Sequence, residues 1–317
     1  MFSREYLERR GGETGFRPDT LEKVLRLQRL LTGVRRHPFL GERLVLKGGT
    51  ALNLFFGGPV PRLSVDLDLN YVGAVDREEM LREKPEVERA LRSLAEGDRY
   101  QLQWGRDEHA GRKIYLRYRN GLGSDDHIEL DVNFLHRVPL VPAVEREGWT
   151  PDHDFPCRAV LAGTEEILAG KMLALLDRGA PRDLYDVASM AGGRFPYDPD
   201  LFRPVFVALS GVLDRAVTSY AVPHRRTLSQ AELDEQLIPV LRGGEGPRQV
   251  DLTGAITPLV SKLVALSSEE QEYVERMQWG EFHPELVVKN RPDLLGQVRR
   301  HPGLLWKAEN GRRRARR

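Results

Sequence analysis

The 317-residue chain has very little cysteine and almost no net charge. Cys157 is the only cysteine, so an intrachain disulfide is excluded and a cysteine-based metal site is not expected. Lysine and arginine number 48 against 47 aspartates and glutamates, a net charge of +1. The charge of the whole chain therefore does not mark a nucleic-acid-binding protein.

Long apolar runs are also lacking. No run approaches the roughly 18 to 20 residues that a membrane-spanning helix needs, and the first residues, Met-Phe-Ser-Arg-Glu-Tyr, lack the apolar segment of a signal peptide. With 40% hydrophobic and 30% charged residues, the composition is that of a globular protein. We expect a cytoplasmic protein with no membrane partner, built as one large domain or two closely packed ones.

Alternating residues from 63 to 71 predict a strand with one buried face. Asp66 and Asp68 lie on its polar face, with Cα atoms about 7 Å apart, close enough to hold one divalent cation or two neighbouring ones. An exposed or salt-bridged pair on an edge strand is the alternative. In this segment Lys47 and Arg62 are the residues that could offset their charge without a metal.

A glycine turn, Gly48-Gly49-Thr50, precedes this strand and leads into a short apolar helix. The two glycines let the backbone approach a phosphate, and the beginning of a helix supplies free N–H groups. Thr50 could cap the helix or contact a phosphate. A Gly-Gly-Thr turn alone is usually only a turn. Together with the two aspartates, it has the composition of a metal-dependent nucleotidyl transfer site.

The remaining elements of the first half follow from simple patterns. Residues 1–17 are polar and predicted to be irregular. Hydrophobic periodicity predicts a helix over 20–35, one or two helices over 76–97, a hairpin of 100–106 with 112–119, and a third strand over 127–135. Glu129 and Asp131 share the polar face of the third strand. If that strand lies beside the Asp66–Asp68 strand, Asp131 completes a carboxylate triad; an exposed sheet face is the alternative.

A proline-rich link over 139–156 leads to a helical second half. Thr164 is the predicted N-cap of a helix that carries Lys171 and ends at Gly179, and Pro181 begins the next helix. Such a helical hairpin folds Asp186 back toward Lys171. A lysine there could pair with nucleotide phosphates and stabilise the charge on a leaving pyrophosphate. In the alternative interpretation Lys171 is a solvated surface lysine and Asp183 is structural.

We predict a mixed-sheet domain over 1–160, a helical domain over 161–311 and a basic tail over 312–317. The tail contains five arginines. It could bind phosphate backbones or only keep the terminus soluble.

Taken together, Gly48-Gly49-Thr50-Ala51-Leu52, the segment from Arg62 to Leu69, and Lys171 with the later segment Arg182 to Asp186 resemble the AbiEii-type nucleotidyltransferase toxins. MenT-like toxins are part of this group, which belongs to the polymerase-β-like nucleotidyltransferase superfamily. The resemblance implies an α+β fold, with a mixed-sheet nucleotidyltransferase domain followed by a mostly α-helical C-terminal domain. By motif match it implies nucleotide contacts from Gly48, Gly49, Thr50 and Ser64, magnesium ligands in Asp66 and Asp68, nucleotide binding and catalysis by Lys171 and Asp186, and, by analogy with the superfamily, a third carboxylate in Asp131.

The function implied by the resemblance is that of a toxin in a bacterial toxin–antitoxin system. Such an enzyme would use two Mg²⁺ ions to transfer a nucleoside monophosphate from an NTP to RNA, at the tRNA 3′ end, and would have a cognate antitoxin as partner. Two alternatives stay open on the residues alone. The acceptor could be a hydroxyl of a protein or small molecule, or the chain could be a non-catalytic nucleotide- or RNA-binding module.

Overall fold

The computed structural model describes residues 2–107, 110–220, 228–243 and 249–315. Contacts between residues divide the chain into two units. The first consists of Met1–Arg137, Ala143–Ala162 and Ile238–Gly246, and the second of Val138–Pro142, Gly163–Leu237 and Pro247–Arg317. The assignment of residues 1–160, 161–311 and 312–317 to a nucleotidyltransferase domain, a helical domain and a tail stays a prediction. Arg316 and Arg317 of that tail lie outside the described residues.

A seven-stranded mixed sheet occupies the first unit, in the order β3-β4-β5-β2-β1-β7-β6. β2 pairs in parallel with β5 and antiparallel with β1, so the predicted mixed sheet is confirmed. The elements of this unit are α1 (Arg4–Thr14), α2 (Pro18–Arg36), β1 (Leu44–Lys47), α3 (Gly48–Phe55), β2 (Asp66–Tyr71), α4 (Arg77–Gly97), β3 (Gln101–Asp107), β4 (Gly111–Arg119), β5 (Asp125–Asn133), β6 (Val144–Gly148) and β7 (Cys157–Leu161).

Strand β2 has the predicted alternation, with Leu67 and Leu69 buried on one face and Asp66 and Asp68 partly exposed on the other. The strand is shorter than predicted, because its first part pairs elsewhere. The Leu63 N–H donates to the Val240 carbonyl at 2.7 Å, and a β-bridge joins Arg62 to the same returning segment. A period-two pattern cannot distinguish a ladder strand from such a single bridge.

Two predictions for the first unit are wrong. Residues 1–17, predicted to be irregular, contain α1, which Ser3 caps by accepting a hydrogen bond from the Tyr6 N–H at 3.2 Å. Only Leu7 and Gly11 of this helix are buried, so its apolar face is too narrow to produce a periodic signal. The predicted proline-rich link over 139–156 contains β6, which pairs antiparallel with β7 directly after the link, and β7 pairs in parallel with β1. Strands of five residues between prolines are too short to give a clear alternating pattern.

The second unit is helical over its described residues. Gly163 rather than Thr164 is the N-cap of the first helix, which ends as predicted at Gly179 in the left-handed conformation. The helices are α5 (Thr164–Arg178), α6 (Pro181–Ala191), α7 (Pro199–Ser210), α8 (Gln230–Gln236), α9 (Gln249–Val264), α10 (Ser268–Gln278), α11 (Glu285–Val288), α12 (Pro292–Arg300) and α13 (Pro302–Ala315).

Across the described ranges, no single helix combines the length and apolarity that crossing a membrane requires. Val250–Val264 and Ser268–Gln278 meet the criterion of length and composition only when they are counted together, and they are bent by 86° at the break between them.

Candidate active site

Four charged side chains form a row across the centre of the sheet. The Cα partners are Lys47 on β1 with Asp68 on β2, Asp68 with Asp131 on β5, and Asp131 with Lys113 on β4. Residues paired in this way place their side chains on the same face of a sheet. The row therefore reads Lys–Asp–Asp–Lys. The expectation that the third strand lies beside the Asp66–Asp68 strand is confirmed, and Asp131 is the direct neighbour of Asp68.

The ionisation of Asp131 reflects its position in this row. Burial is the main cause that raises its pKa, and the negative charges of Asp68 and Glu129 raise it further. The positive charges of Lys47 and Lys113 act in the opposite direction but do not cancel the rise, so the pKa lies above its usual range. Two carboxylates side by side repel each other, and a cation bound between them would relieve that repulsion.

Asp66 lies one position further along the same face of β2. Its Cα partner on β5 is Glu129, whose carboxylate forms an ion pair with Lys113. Lys113 therefore forms an ion pair with Glu129, and its positive charge also acts on Asp131. Sequence reasoning did not single out Lys113, although its place in the β3–β4 hairpin was predicted. Arg62, considered as a counter-ion from the sequence, is buried and donates a hydrogen bond to the Leu63 carbonyl at 2.8 Å; its role as a counter-ion stays a prediction.

The glycine turn packs directly against this row. Gly48 begins α3 with φ +73°, and a Cβ atom at this position would collide with the Asp68 carboxylate. The turn therefore needs glycine for two reasons, backbone conformation and space. Helix α3 begins here, so the first backbone N–H groups have no partner within the helix and are available to an anion.

Thr50 has a different role from the one expected as a cap. The N-cap residue of α3 is Lys47, so the prediction that Thr50 caps the helix is wrong. The Thr50 hydroxyl is buried and donates to the Asp66 carbonyl at 2.5 Å, which fixes α3 to the beginning of β2. Gly49 and Ser64 are also buried. The nucleotide contacts assigned to Gly48, Gly49, Thr50 and Ser64 stay predictions.

A second group of predicted residues lies in the second unit, on the hairpin of α5 and α6. The Lys171 Nζ atom is 3.0 Å from Asp183 Oδ1 and 3.0 Å from Asp186 Oδ2. The exposed fractions of these three side chains are 11%, 1% and 0%, so the alternative of a solvated surface lysine is wrong. The short turn around Gly179 and Pro181 brings Asp186 back to Lys171, as predicted.

Asp183 is the centre of this charged cluster. The Arg178 Nε atom donates to its Oδ2 at 2.7 Å, and the Lys171 Nζ atom donates to its Oδ1 at 3.0 Å. Burial by itself would raise the pKa of Asp183, but the charges and hydrogen bonds of Lys171 and Arg178 outweigh it and hold that pKa below its usual range. The Asp183 carboxylate is therefore ionised at neutral pH and fixes the lysine in position.

A divalent cation would fit the pair Asp68 and Asp131, with Asp66 nearby on the same face. Magnesium is usually bound by one or two carboxylates together with substrate phosphates and water. Over the ranges that the structure describes, no three or more His, Cys, Asp and Glu side chains form a complete metal site. The neighbouring carboxylates thus provide part of a coordination shell that phosphate oxygens would complete. The metal-binding roles of Asp66, Asp68 and Asp131 stay predictions.

A cavity of about 640 Å³ in the first unit is distinct from the carboxylate row. Its lining includes none of the predicted site residues and is formed by α2, the end of α4 and the segment 150–156, with Phe2 at one side.

Comparison with known proteins identifies a family. The family described as "Nucleotidyl transferase AbiEii toxin, Type IV TA system" matches residues 29–258. The solved structure of MenT4, a nucleotidyltransferase toxin from Mycobacterium tuberculosis H37Rv, is similar with a TM-score of 0.62 at 19% identity, over 94% of this chain and 99% of that one. JHP933 from Helicobacter pylori matches with a TM-score of 0.47 at 14% identity, over 82% of this chain and 95% of that one. No curated protein gives a significant match.

At this level of identity the likeness to MenT4 shows the fold, an α+β arrangement of a mixed sheet and many helices. The family match extends over well more than half of the chain and includes the glycine turn, the carboxylate row and the Lys171 cluster. The resemblance inferred from the motifs is thereby confirmed. The chain belongs to the AbiEii family of nucleotidyltransferase toxins, the toxin components of type IV toxin–antitoxin systems.

Proposed function

We propose that this toxin transfers a nucleoside monophosphate from an NTP to a hydroxyl of an RNA acceptor, the 3′ end of a tRNA, with Mg²⁺ as the cofactor. The oxygen of the acceptor hydroxyl forms the new bond to the α-phosphorus and releases its proton to solvent, the bond between the α-phosphorus and the bridging oxygen breaks, and pyrophosphate leaves. The observation that carries the proposal is the adjacency of Asp68 and Asp131 beside the Gly48 turn.

The carboxylates, the glycine turn and the Lys171–Asp186 pair have separate tasks in this reaction. Asp66, Asp68 and Asp131 would hold two magnesium ions, which would lower the pKa of the attacking hydroxyl and balance charge on the α-phosphate. The backbone of Gly48 and Gly49 binds phosphate oxygens at the beginning of α3. Lys171 and Asp186 serve nucleotide binding and catalysis, with the lysine offsetting charge on the outer phosphates. We place the reaction in the cytoplasm, where NTP and tRNA are both present, and expect a cognate antitoxin to suppress it.

The experiment is to incubate the full chain with Mg²⁺, each α-labelled NTP in turn and total cellular RNA, and to resolve RNA and protein on a denaturing gel. We expect label on tRNA-sized RNA, lost on adding EDTA. Asp66→Ala and Asp68→Asn should each reduce transfer by at least about a hundredfold, because developing charge at the α-phosphate is no longer balanced. Asp125→Asn is the matched control, since Asp125 is an exposed carboxylate at the far end of β5.

The outcomes separate the candidate functions. A folded Asp68→Asn protein with full activity would overturn the site assignment. Label on protein, or on a small molecule, would replace RNA by the alternative acceptor. Binding of NTP without release of pyrophosphate, in the presence of RNA and Mg²⁺, would indicate a non-catalytic nucleotide-binding module.

A further inference from the structure

The positive charge of this chain is concentrated at its C-terminal end. Residues 291–317 contain nine basic residues (lysine and arginine) but only two acidic ones (aspartate and glutamate). The whole chain, in contrast, contains 48 basic and 47 acidic residues. The preceding 290 residues are therefore acidic on balance, with 39 basic and 45 acidic residues. Such local asymmetry attracts polyanions to one region of a protein whose overall charge is close to zero.

Helix α13 presents part of this charge on its exposed face. Leu304 and Ala308 are buried, while the exposed residues recur at helical spacings of three, four and seven. This exposed face consists of Leu305, Trp306, Glu309, Arg312 and Arg313, and Arg314 in the last turn is exposed as well. The last turn of α12, which precedes α13 directly in the chain, contains exposed Arg299, paired with Glu285, and exposed Arg300. We call Trp306, Arg312 and Arg313 the C-terminal basic surface.

The guanidinium groups on α13 are accessible and incompletely neutralised. The Glu309 carboxylate forms ion pairs with two arginines. Its Oε2 atom is 3.1 Å from Arg312 Nη2, and its Oε1 atom is 3.2 Å from Arg313 Nε. The two arginine side chains are 55% and 71% exposed. Ion pairs at such exposed positions are weak and exchange readily for other anions. Arginine is also the side chain whose fork of donors best matches a phosphate.

Trp306 adds a flat apolar surface to this charge. The residue is 51% exposed, and Leu305 beside it is 44% exposed. Trp306 and Arg313 are seven residues apart on one side of the helix, a distance of about 10 Å along its axis. That is the length of about three stacked nucleotides of one strand. An exposed aromatic ring next to arginines is the combination that binds an unpaired base and its backbone.

A lipid surface fits these residues less well. An amphipathic helix that binds a membrane turns its apolar face to the lipid. In α13 that face, with Leu304 and Ala308, is turned to the protein core. The outward face carries two apolar residues among charged ones.

We propose that the C-terminal basic surface binds the phosphodiester backbone of the RNA acceptor, with Trp306 stacked on an unpaired base. The inference rests on the proposed function, because it takes RNA to be the acceptor. It adds the part of the protein that recognises RNA, which is separate in sequence from every residue assigned to the reaction.

Binding of RNA is measured directly, by fluorescence anisotropy of a labelled tRNA with the full chain at several salt concentrations and without NTP. In the double variant Arg312→Gln/Arg313→Gln we expect about tenfold weaker binding near 0.1 M salt, and a slope of log Kd against log salt reduced by about 1.5, from two lost phosphate contacts. Trp306→Ala should also weaken binding about tenfold, and Trp306→Phe should restore most of it.

The matched control is Arg17→Gln/Arg158→Gln, which removes two arginines of similar exposure, 58% and 67%, that are likewise paired with carboxylates. This control should keep the tRNA affinity and the salt slope. Binding of labelled NTP at the wild-type level shows that each variant is folded.

Unchanged affinity and slope in the surface variants overturn the proposal. So does a loss confined to binding of phosphatidylglycerol vesicles, which would identify a lipid surface instead. Loss of tRNA binding in the surface variants, with no transfer of label to RNA by the wild type, supports the surface and refutes the proposed function. The two failures are therefore distinguishable.

Discussion

At Gly48 the backbone passes close to the side chain of Asp68, a predicted metal ligand. The positive φ of Gly48 is one that side chains with a Cβ rarely adopt, and a Cβ there would displace the Asp68 carboxylate. The sequence correctly predicted a turn that needs glycine. It could not show that the group beside the glycine is Asp68, because that contact joins residues twenty positions apart.

Gly48→Ala should therefore reduce both stability and activity. We expect the free energy of unfolding to fall by about 1–2 kcal/mol from the left-handed backbone, and nucleotide transfer to fall at least tenfold because Asp68 is displaced. Urea unfolding and the labelled-NTP assay measure the two effects.

Gly57→Ala is the matched control for this substitution. Gly57 has the same φ, +73°, but no atom lies within 4 Å of a Cβ built there. Its stability loss should be similar, and its activity should be unchanged. Equal loss of activity in both variants would contradict the proposed contact with Asp68.

At the scale of elements, the α5–α6 hairpin is formed by residues that are close in sequence. The sequence therefore predicted both its turn and the approach of Asp186 to Lys171. Gly179 and Pro181 mark its turn, and the turn determines that Lys171 meets Asp186. The burial of the cluster was not predictable, because it depends on the helices that pack around it. The pattern of charges on α5 and α6 alone is equally compatible with a solvated surface.

Asp183→Asn should destabilise the chain markedly, because it leaves the buried Lys171 with one carboxylate instead of two. We expect a loss of about 3 kcal/mol at pH 7, in the range for breaking buried ion pairs. Urea unfolding measures it. The control is Glu147→Gln, which removes one partner of the exposed ion pair with Arg158. There the free energy of unfolding should change by less than about 1 kcal/mol.

The stability that Asp183 contributes to the folded protein changes with pH in a defined direction. The pKa of Asp183 is lowered in the folded protein, so its contribution to stability is present above the pKa of the unfolded state, near 4. That contribution is lost as the pH falls from there through the lower folded-state pKa. The difference in stability between wild type and Asp183→Asn should therefore shrink on acidification below pH 4. A difference that stays constant down to pH 2 would contradict the assignment.

At the scale of strands, the sequence predicted which residues of β2 and β5 share a face, but it did not determine which strands lie next to each other in the sheet. Period-two alternation placed Asp66 with Asp68, and Glu129 with Asp131, on polar faces. The order of strands in the sheet decided that Asp131 meets Asp68 and that Lys113 lies next in the row. Strand pairing depends on packing between distant segments, which a local pattern does not contain.

At the scale of the whole molecule, a single cysteine provides a probe of the first unit. Cys157 on β7 is buried, and its thiol lies 3.8 Å from the Gln28 carbonyl of α2. Burial raises the pKa of this thiol to about 11, although a hydrogen bond with Thr32 lowers it slightly. The sequence, with one cysteine, excluded an intrachain disulfide, and this environment is that of a free, buried thiol.

The native chain should therefore react very slowly with a disulfide reagent such as DTNB at pH 8. The raised pKa alone reduces the thiolate fraction about a hundredfold relative to an unfolded chain, and burial slows the reaction further. In a urea titration, one thiol per chain should become reactive when the first unit unfolds. Rapid labelling of the folded protein would show that β7 and α2 do not cover Cys157.

The sequence alone determined the local features of this toxin. Turns need glycine, strand faces follow a period of two, and a helical hairpin follows from a glycine and a proline, since each depends on neighbouring residues. Motifs built on these features carried the resemblance that identified the family and predicted Asp66, Asp68, Lys171 and Asp186 as site residues. Tertiary structure alone decided that Lys47, Asp68, Asp131 and Lys113 form one row, that Thr50 bonds to the Asp66 carbonyl, and that Lys171 is buried. These facts depend on which distant segments pack together to bury apolar surface, and no local pattern specifies that choice.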